Sequence, residues 1–110
     1  MKTVTLWRPI GLAELDLIVQ ADFDSFPPRL PGQPFFYPVC NLEYARMIAD
    51  KWNAPAGMAS IVVRFEILED FIKQYAKHIV GPRVCEEYWI PAGELDNFNK
   101  AIVGKIQVVT

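Results

Sequence analysis

The sequence predicts a single small α+β domain over residues 1–110, with a mixed sheet of about five or six strands and about three or four short helices. Three observations carry this prediction. The chain has 110 residues, which suffices for one hydrophobic core but not for two separate ones. Segments with strand-like alternation and segments with helical spacing follow one another. No glycine-rich phosphate loop follows the first strand, which argues against a doubly wound parallel sheet.

The first third of the chain predicts a strand, a helix and an ordered loop. Lys2–Arg8 alternates in the manner of a strand, and Pro9 and Gly11 are expected to end it. Leu12–Ala21 has apolar residues at helical spacing, which predicts the first helix. Asp22–Gln33 contains several prolines interleaved with apolar side chains. Because proline restricts φ, this composition predicts an ordered loop and not a flexible linker.

The middle of the chain predicts two strands around a helix. Pro34–Val39 is expected to form a short aromatic strand, and Asn41 is expected to cap a helix over Leu42–Asn53. A turn is predicted at Asn53–Gly57. Met58–Leu68 is β-branched and mostly apolar, so it is expected to be the central strand of the sheet.

Five short elements are predicted to complete the chain, two of them helices. They are a helix over Glu69–Tyr75, a strand over Lys77–Val80, a strand over Cys85–Ile90, a helix over Ala92–Asn99 and a closing strand over Lys105–Val109. Gly104 is expected to end the segment that precedes the last strand, because glycine commonly interrupts regular structure.

Charge and composition exclude several classes of protein. The net charge is −2, so no broad basic surface for nucleic acid is expected. No apolar run approaches the roughly 20 residues that span a bilayer, and the N-terminus lacks the apolar stretch of a signal peptide. The protein is therefore expected in the cytoplasm. Cys40 and Cys85 are expected to be half-buried thiols there, and a disulfide requires that the fold make them neighbours.

The usual hydrolytic centres find little support in the sequence. His78 is the only histidine, and no clustered ligand motif accompanies it, so no metal site is predicted. A structural role for His78 is the favoured expectation. Ser25 and Ser60 lack a nucleophile elbow, and Cys40 has no histidine at a recognised spacing.

The remaining polar candidates lie near strand ends. They are Arg8, Arg29, Tyr37, Asn41, Arg64 and the pair Glu86 and Glu87. Successive side chains of a strand point to opposite faces, so only one carboxylate of the pair can point inward. Trp89 shares the face of Glu87, and Tyr88 shares the face of Glu86. Pattern alone also allows both carboxylates to be solvated.

Three segments of the chain resemble ADP-ribosyltransferases. EYWIP, followed by a turn, looks like the segment in which the catalytic glutamate of that family precedes an apolar strand and a proline. FFYPVCNLEYARMIADKW, with SIVVRFEI after it, is similar to the second core block, and TLWRPIG to the first core strand. The resemblance implies an ADP-ribosyltransferase-like fold. It places Glu87 at the catalytic glutamate, Tyr37 at the core serine or tyrosine, Ala45 at the helix alanine and Arg8 at the residue that contacts NAD.

The whole chain also resembles a group of short bacterial proteins, some of which are labelled ADP-ribosylation/crystallin J1. The segments that carry this likeness are TLWRPIG, FPPRLP, the FYPV–N–EYA block and the WIP–EL–FN–IVGKI ending. The paired aspartates of ADP-ribosylglycohydrolases, to which the crystallin J1 label points, do not occur in this sequence. Two positions depart from the transferase pattern. Tyr37-Pro38-Val39 stands where the family has serine-threonine-serine, and Cys85 stands where an acidic companion often precedes the glutamate.

The resemblance implies a protein that binds NAD as substrate and transfers or hydrolyses its ADP-ribose. Glu87, Tyr37 and Arg8 are the expected catalytic residues. Arg8, Arg29, Tyr37 and Asn41 are the residues expected to bind NAD, with Arg29 reaching a phosphate and Tyr37 stacking on nicotinamide.

Two alternatives involve a partner instead of chemistry. A non-catalytic module that retains the fold would bind a protein partner through an exposed aromatic patch of Trp7, Phe35 and Phe36. A homodimer would pair through the edge of the Met58–Leu68 strand or of the C-terminal strand.

Overall fold

A computed structural model describes residues 1–53, 61–81 and 85–109 of the chain. Its strands are β1 (Thr3–Ile10), β2 (Phe35–Phe36), β3 (Ile61–Leu68), β4 (Lys77–Ile79), β5 (Glu86–Tyr88), β6 (Ile90–Pro91) and β7 (Ile102–Val108). Its α-helices are α1 (Leu12–Gln20), α2 (Leu42–Ile48), α3 (Glu69–Ile72) and α4 (Leu95–Lys100). These elements form a small compact domain with a radius of gyration of 13.2 Å, and they confirm the predicted α+β class.

The largest sheet has three antiparallel strands in the order β1-β3-β7. β3 is central, as its β-branched and apolar sequence predicts. Its residues Val63, Phe65 and Ile67 are almost fully buried. The predicted start of this strand at Met58, and most of the turn predicted at Asn53–Gly57, lie outside the described residues.

Pro9 does not end the first strand, contrary to the prediction. β1 continues through Pro9 to Ile10, and Pro9 lies opposite Val62. The backbone of Trp7 donates to and accepts from Val39, on the side of β1 that faces away from β3. Pro9 is two residues further on and points the same way. Its missing N–H therefore removes no hydrogen bond between β1 and β3.

Gly104 also has a different role from the one predicted. It lies within β7, which begins at Ile102 and not at Lys105. The pairing of β3 with β7 shifts register between Arg64 and Glu66. Gly104 has a φ of +77° at this irregularity, which is a backbone conformation that glycine adopts at little cost.

The predicted single mixed sheet is wrong. Two further antiparallel pairs, β2 with β6 and β4 with β5, form sheets of two strands each. All pairings among the described strands are antiparallel. Val39 forms isolated bridges to both Trp7 and Glu87, so it connects β1 to β5 across the gap between sheets.

Two hydrophobic cores form on opposite faces of the three-stranded sheet. The larger one contains Leu6 and Phe65, and the ring of Phe65 lies 5.0 Å from that of Phe26 and 5.7 Å from that of Phe98. The smaller one contains Val62, with Tyr44 and Ala45 of α2 packed over it. Because β3 side chains alternate faces, Val62 and Phe65 belong to different cores. The smaller core fixes α2 against the sheet.

The helices are shorter than the sequence predicts. α2 ends at Ile48 and continues as a π-helical turn over Ala49–Asn53. A 3₁₀ turn over Ala92–Glu94 precedes α4, whose Leu95 and Phe98 are buried. No helix among the described residues is long and apolar enough to cross a membrane.

Candidate functional site

A cavity of about 320 Å³ opens where β1, β5 and the segment after β2 meet. The residues that line it are Arg8, Pro9, Tyr37, Val39, Ile48 and Glu87. Three of them, Arg8, Tyr37 and Glu87, are the catalytic candidates of the sequence. They come together because Val39 bridges β1 to β5. We refer to this space as the Glu87 cavity.

Glu87 is buried, with a relative exposure of 9%. Tyr44 Oη donates to Glu87 Oε1 at 2.6 Å, and Trp89 Nε1 donates to Glu87 Oε2 at 2.7 Å. Strand alternation predicts that Trp89 shares the face of Glu87, and their hydrogen bond confirms it. Glu86 points to the opposite face and is less buried. The two bonds fix the carboxylate plane of Glu87 at the cavity.

Arg8 is bound on one edge of its guanidinium by Glu14. Nε lies 2.7 Å from Glu14 Oε2, and Nη2 lies 3.0 Å from Glu14 Oε1. The guanidinium lies over the ring of Phe36, 4.5 Å from its centroid. Nη1, on the other edge, makes only a long contact of 3.5 Å with the carbonyl oxygen of Tyr37. Glu14 therefore orients Arg8, and Nη1 keeps most of its capacity to donate a hydrogen bond.

Tyr37 belongs to a cluster of three aromatic rings beside the cavity. Its ring lies 6.1 Å from Phe35 and 6.2 Å from Trp89, and Phe35 lies 5.9 Å from Trp89. His78 stacks on the outer ring, Trp89, at 4.0 Å and an interplanar angle of 6°. His78 is also the residue of β4 that pairs with Glu87 of β5. Of the three rings, only Tyr37 lines the cavity, and the rings are tilted against one another by 44° to 85°.

Arg29 lies in a neighbouring cavity of about 290 Å³, which also contains Arg8 and Glu14. Its Nε donates to the carbonyl oxygen of Phe35 at 2.9 Å. Burial lowers the pKa of the Arg29 guanidinium, and the positive charge of Arg8 lowers it further. In the described part of the chain, no carboxylate forms an ion pair with Arg29, so this pocket carries two guanidinium groups and one glutamate. Its chemistry suits an anion.

Asn41 is a helix cap and does not line the Glu87 cavity. Its side-chain oxygen accepts the backbone N–H of Tyr44 at 2.7 Å, which confirms the predicted cap. Arg64 also lies elsewhere. It shares the face of β3 that carries Val62 of the smaller core, and it pairs there with Glu66 at 3.3 Å. Of the predicted candidates, Asn41, Arg64 and Arg29 do not line the Glu87 cavity, and Glu86 points to the opposite face from Glu87.

Two residues that contact the candidates directly, Tyr44 and Glu14, are not marked by any motif of the sequence. Tyr44 occurs within the FFYPVCNLEYARMIADKW block, and Glu14 lies in the first turn of α1. Burial, followed by the hydrogen bond to Glu87, raises the pKa of Tyr44, so its hydroxyl remains a donor at neutral pH. The available signal was chemical, since a buried tyrosine hydroxyl requires a partner.

The other nucleophile candidates are two cysteines and two serines. Cys40 and Cys85 are free thiols. Burial raises the pKa of Cys40 to about 11, so the thiol is protonated at neutral pH and is a poor nucleophile. Ser25 is half-buried in the proline-rich loop, and Ser60 lies outside the described residues.

The aromatic patch and the strand edges that were expected to bind a partner are only partly accessible in the structure. Phe36 is buried at 1% exposure, and Trp7 and Phe35 are half-buried, so the predicted aromatic patch is wrong for Phe36. β3 has a strand on each side and offers no edge for pairing. β7 does lie at the edge of its sheet, where the N–H of Ile106 donates to Phe23 at 2.8 Å.

No family model, no curated protein and no solved structure matches this chain.

Proposed function

We propose that this chain is an ADP-ribosyltransferase-like protein that binds NAD and transfers or hydrolyses its ADP-ribose. The observation that carries the proposal is the shared cavity of Arg8, Tyr37 and Glu87. Their segments are far apart in the sequence, and the resemblance to the transferase family rests on the same three positions. A common cavity is the arrangement that this activity requires.

Glu87 has the environment that the chemistry needs. Both of its bonded partners, Tyr44 and Trp89, are neutral donors, and in the described part of the chain no cation pairs with it. Each carboxylate oxygen can accept one further hydrogen bond. A ribose 2′-hydroxyl that donates to Glu87 would be oriented by it. The negative charge would stabilise the positive charge that develops on the ribose.

The reaction itself is a substitution at the ribose C1′ atom. The bond from C1′ to the nicotinamide nitrogen breaks, and its electron pair stays on nicotinamide. A lone pair of water or of another acceptor forms the new bond to C1′, and the acceptor loses a proton. With water, the products are nicotinamide, ADP-ribose and one proton. Val39 and Ile48 give the cavity an apolar lining beside Glu87.

The charge and the size of two neighbouring cavities, which share Arg8, support binding of the rest of NAD. Each cavity lies near the lower end of the range of about 300–1,000 Å³ that ligand pockets occupy. Arg8 contacts both, and Arg29 adds a second guanidinium next to it. Guanidinium groups bind phosphate oxygens well, so this side suits the diphosphate. The ring of Tyr37 suits the flat, cationic nicotinamide.

Binding of NAD is the first test. Titration calorimetry and thermal unfolding are measured with wild type, with Arg8→Lys and with Arg64→Lys as the matched control. Arg64 lines neither the Glu87 cavity nor the cavity that contains Arg29, and it pairs with Glu66. At 100 times its dissociation constant, NAD should stabilise the wild type and the control by about 2.7 kcal/mol. Arg8→Lys should bind more weakly, because lysine cannot reproduce the guanidinium fork. No binding heat and no thermal shift in wild type would overturn the proposal.

One observation favours a second candidate, a non-catalytic module that retains the fold. Glu14 occupies one edge of the Arg8 guanidinium at 2.7 and 3.0 Å, as a ligand anion would. In such a module, Trp89, which is 38% exposed beside Phe35 and Tyr37, is the contact for a protein partner. The same titration separates the two candidates, because the module does not bind NAD.

A further inference from the structure

Glu87 is anchored more completely than its place on a short strand requires. Both carboxylate oxygens accept a short hydrogen bond, from Tyr44 Oη at 2.6 Å and from Trp89 Nε1 at 2.7 Å. The two donors come from different elements and approach different oxygens. Rotation of the carboxylate would break at least one bond, so the group is held in one orientation.

Each donor is itself fixed by its surroundings. Tyr44 lies in the smaller core, and its backbone N–H is bound by the cap residue Asn41 at 2.7 Å. Trp89 is stacked on one side by His78 at 4.0 Å and contacts Phe35. A donor held by packing loses little freedom when it forms its hydrogen bond. Such support is what keeps a functional group within a fraction of an ångström of its working position.

A contribution to the stability of the fold does not by itself explain why a buried carboxylate occupies position 87. A buried carboxylate without a cation costs free energy, which two neutral donors reduce but do not remove. An apolar residue at position 87 would extend the apolar lining that Val39 and Ile48 provide. The retained charge faces a cavity that Arg8 also lines.

We propose that Tyr44 and Trp89 are positioning residues that hold the Glu87 carboxylate ready for a hydroxyl or cationic group of a ligand in the Glu87 cavity. The kinetic part of this inference rests on the proposed function. The positioning itself does not, because it concerns the orientation of Glu87 in the free protein.

The experiment compares Tyr44→Phe and Trp89→Phe with Tyr75→Phe. Tyr75 also donates to a glutamate, Glu94, but away from the cavity, so it is a matched control for the loss of a tyrosine–glutamate bond. Thermal unfolding establishes that each variant is folded. The first readout is kcat and KM for NAD hydrolysis. The second is the indole N–H resonance of Trp89, assigned by its loss in Trp89→Phe.

Loss of either donor should lower kcat on the order of tenfold to a hundredfold, with KM nearly unchanged, since an oriented carboxylate acts mainly in the transition state. Tyr44→Phe should also shift the Trp89 indole resonance, because Glu87 loses its second anchor, and Tyr75→Phe should change neither readout. If wild type hydrolyses NAD and Tyr44→Phe keeps the same kcat, the inference is overturned and the proposed function stands. If wild type has no activity, the proposed function fails. The indole resonance then tests whether Tyr44 and Trp89 position Glu87. A shift of the indole resonance in Tyr44→Phe but not in Tyr75→Phe supports the positioning of Glu87. An unchanged resonance in Tyr44→Phe overturns it.

Discussion

Glu14 binds Arg8 through both carboxylate oxygens, at 2.7 and 3.0 Å. Their side chains are 19% and 11% exposed, so this is the least exposed ion pair among the described residues. It joins β1 to the first turn of α1 and sets the direction of the Arg8 guanidinium in the Glu87 cavity. The position of one candidate site residue therefore depends on a carboxylate six residues further along the chain.

Replacement of Glu14 should destabilise the fold. We expect Glu14→Gln to lower the free energy of unfolding by about 1–3 kcal/mol, because Arg8 would keep its charge in a buried place with a weaker partner. The control is Asp70→Asn, which breaks the fully exposed pair of Asp70 with Lys73 and should leave stability unchanged. Urea unfolding at neutral pH measures both. Equal effects in the two variants would contradict the account of the Arg8–Glu14 pair.

We expect the Glu66 carboxylate to make a pH-dependent contribution to the free energy of unfolding. The hydrogen bond from Thr5 at 2.6 Å is the main cause that lowers the pKa of Glu66, and the bonds from Thr3 and Arg64 add to it. A lowered folded pKa means that the ionised carboxylate favours the folded state. This stability is present above the ordinary pKa of 4.5 and is lost as the pH falls through the lower folded value.

Thr5→Val removes the main donor to Glu66. At pH 7 the variant should unfold with a free energy about 0.5–1.5 kcal/mol lower than wild type, a figure reduced for the partial exposure of the pair. The difference should shrink as the pH falls below 4.5. Thr5→Ser keeps the hydroxyl and should retain most of the stability. A difference for Thr5→Val that is the same at pH 7 and at acid pH would show that Glu66 is not involved.

Substitution of Gly104 and of Gly93 allows the energetic cost of backbone strain to be measured apart from the effects of side-chain packing. Gly104 has a φ of +77°, whereas Gly93 has no positive φ, and an added Cβ at either position would meet no atom within 4 Å. Gly104→Ala should therefore lower the free energy of unfolding by about 1–2 kcal/mol through the backbone alone. Gly93→Ala should have no measurable cost. Thermal unfolding of both variants measures this, and an equal response would mean that the irregularity in β7 relaxes freely.

Local sequence patterns predicted those elements in which the residue types themselves indicate burial or a helix start. The apolar, β-branched run of β3 identified the central strand, and Asn41 marked the start of α2. The errors at Pro9 and Gly104 arose because both residues are tolerated for tertiary reasons. Pro9 points away from its partner strand, and Gly104 lies at a shift of register. Neither circumstance is visible in a local window.

The candidate site was predictable only in part. Strand alternation reduced the acidic pair to one inward carboxylate, and the resemblance selected Glu87 and linked it to Arg8 and Tyr37. The residues that hold these groups in place were missed. Tyr44 lies 43 positions before Glu87, and their bond depends on how α2 packs against the sheet. Spacing in the sequence carries no information about such a contact.

Hydrolysis of NAD by wild type, Glu87→Gln and Glu86→Gln tests the central claim most directly. Glu86 is the neighbouring carboxylate on the opposite face of β5, so its variant controls for the loss of one charge. The account predicts that wild type and Glu86→Gln release nicotinamide at similar rates. Glu87→Gln should be slower on the order of a hundredfold to a thousandfold, since an amide cannot supply the charge that stabilises the transition state. Equal rates for Glu87→Gln and wild type would contradict the account.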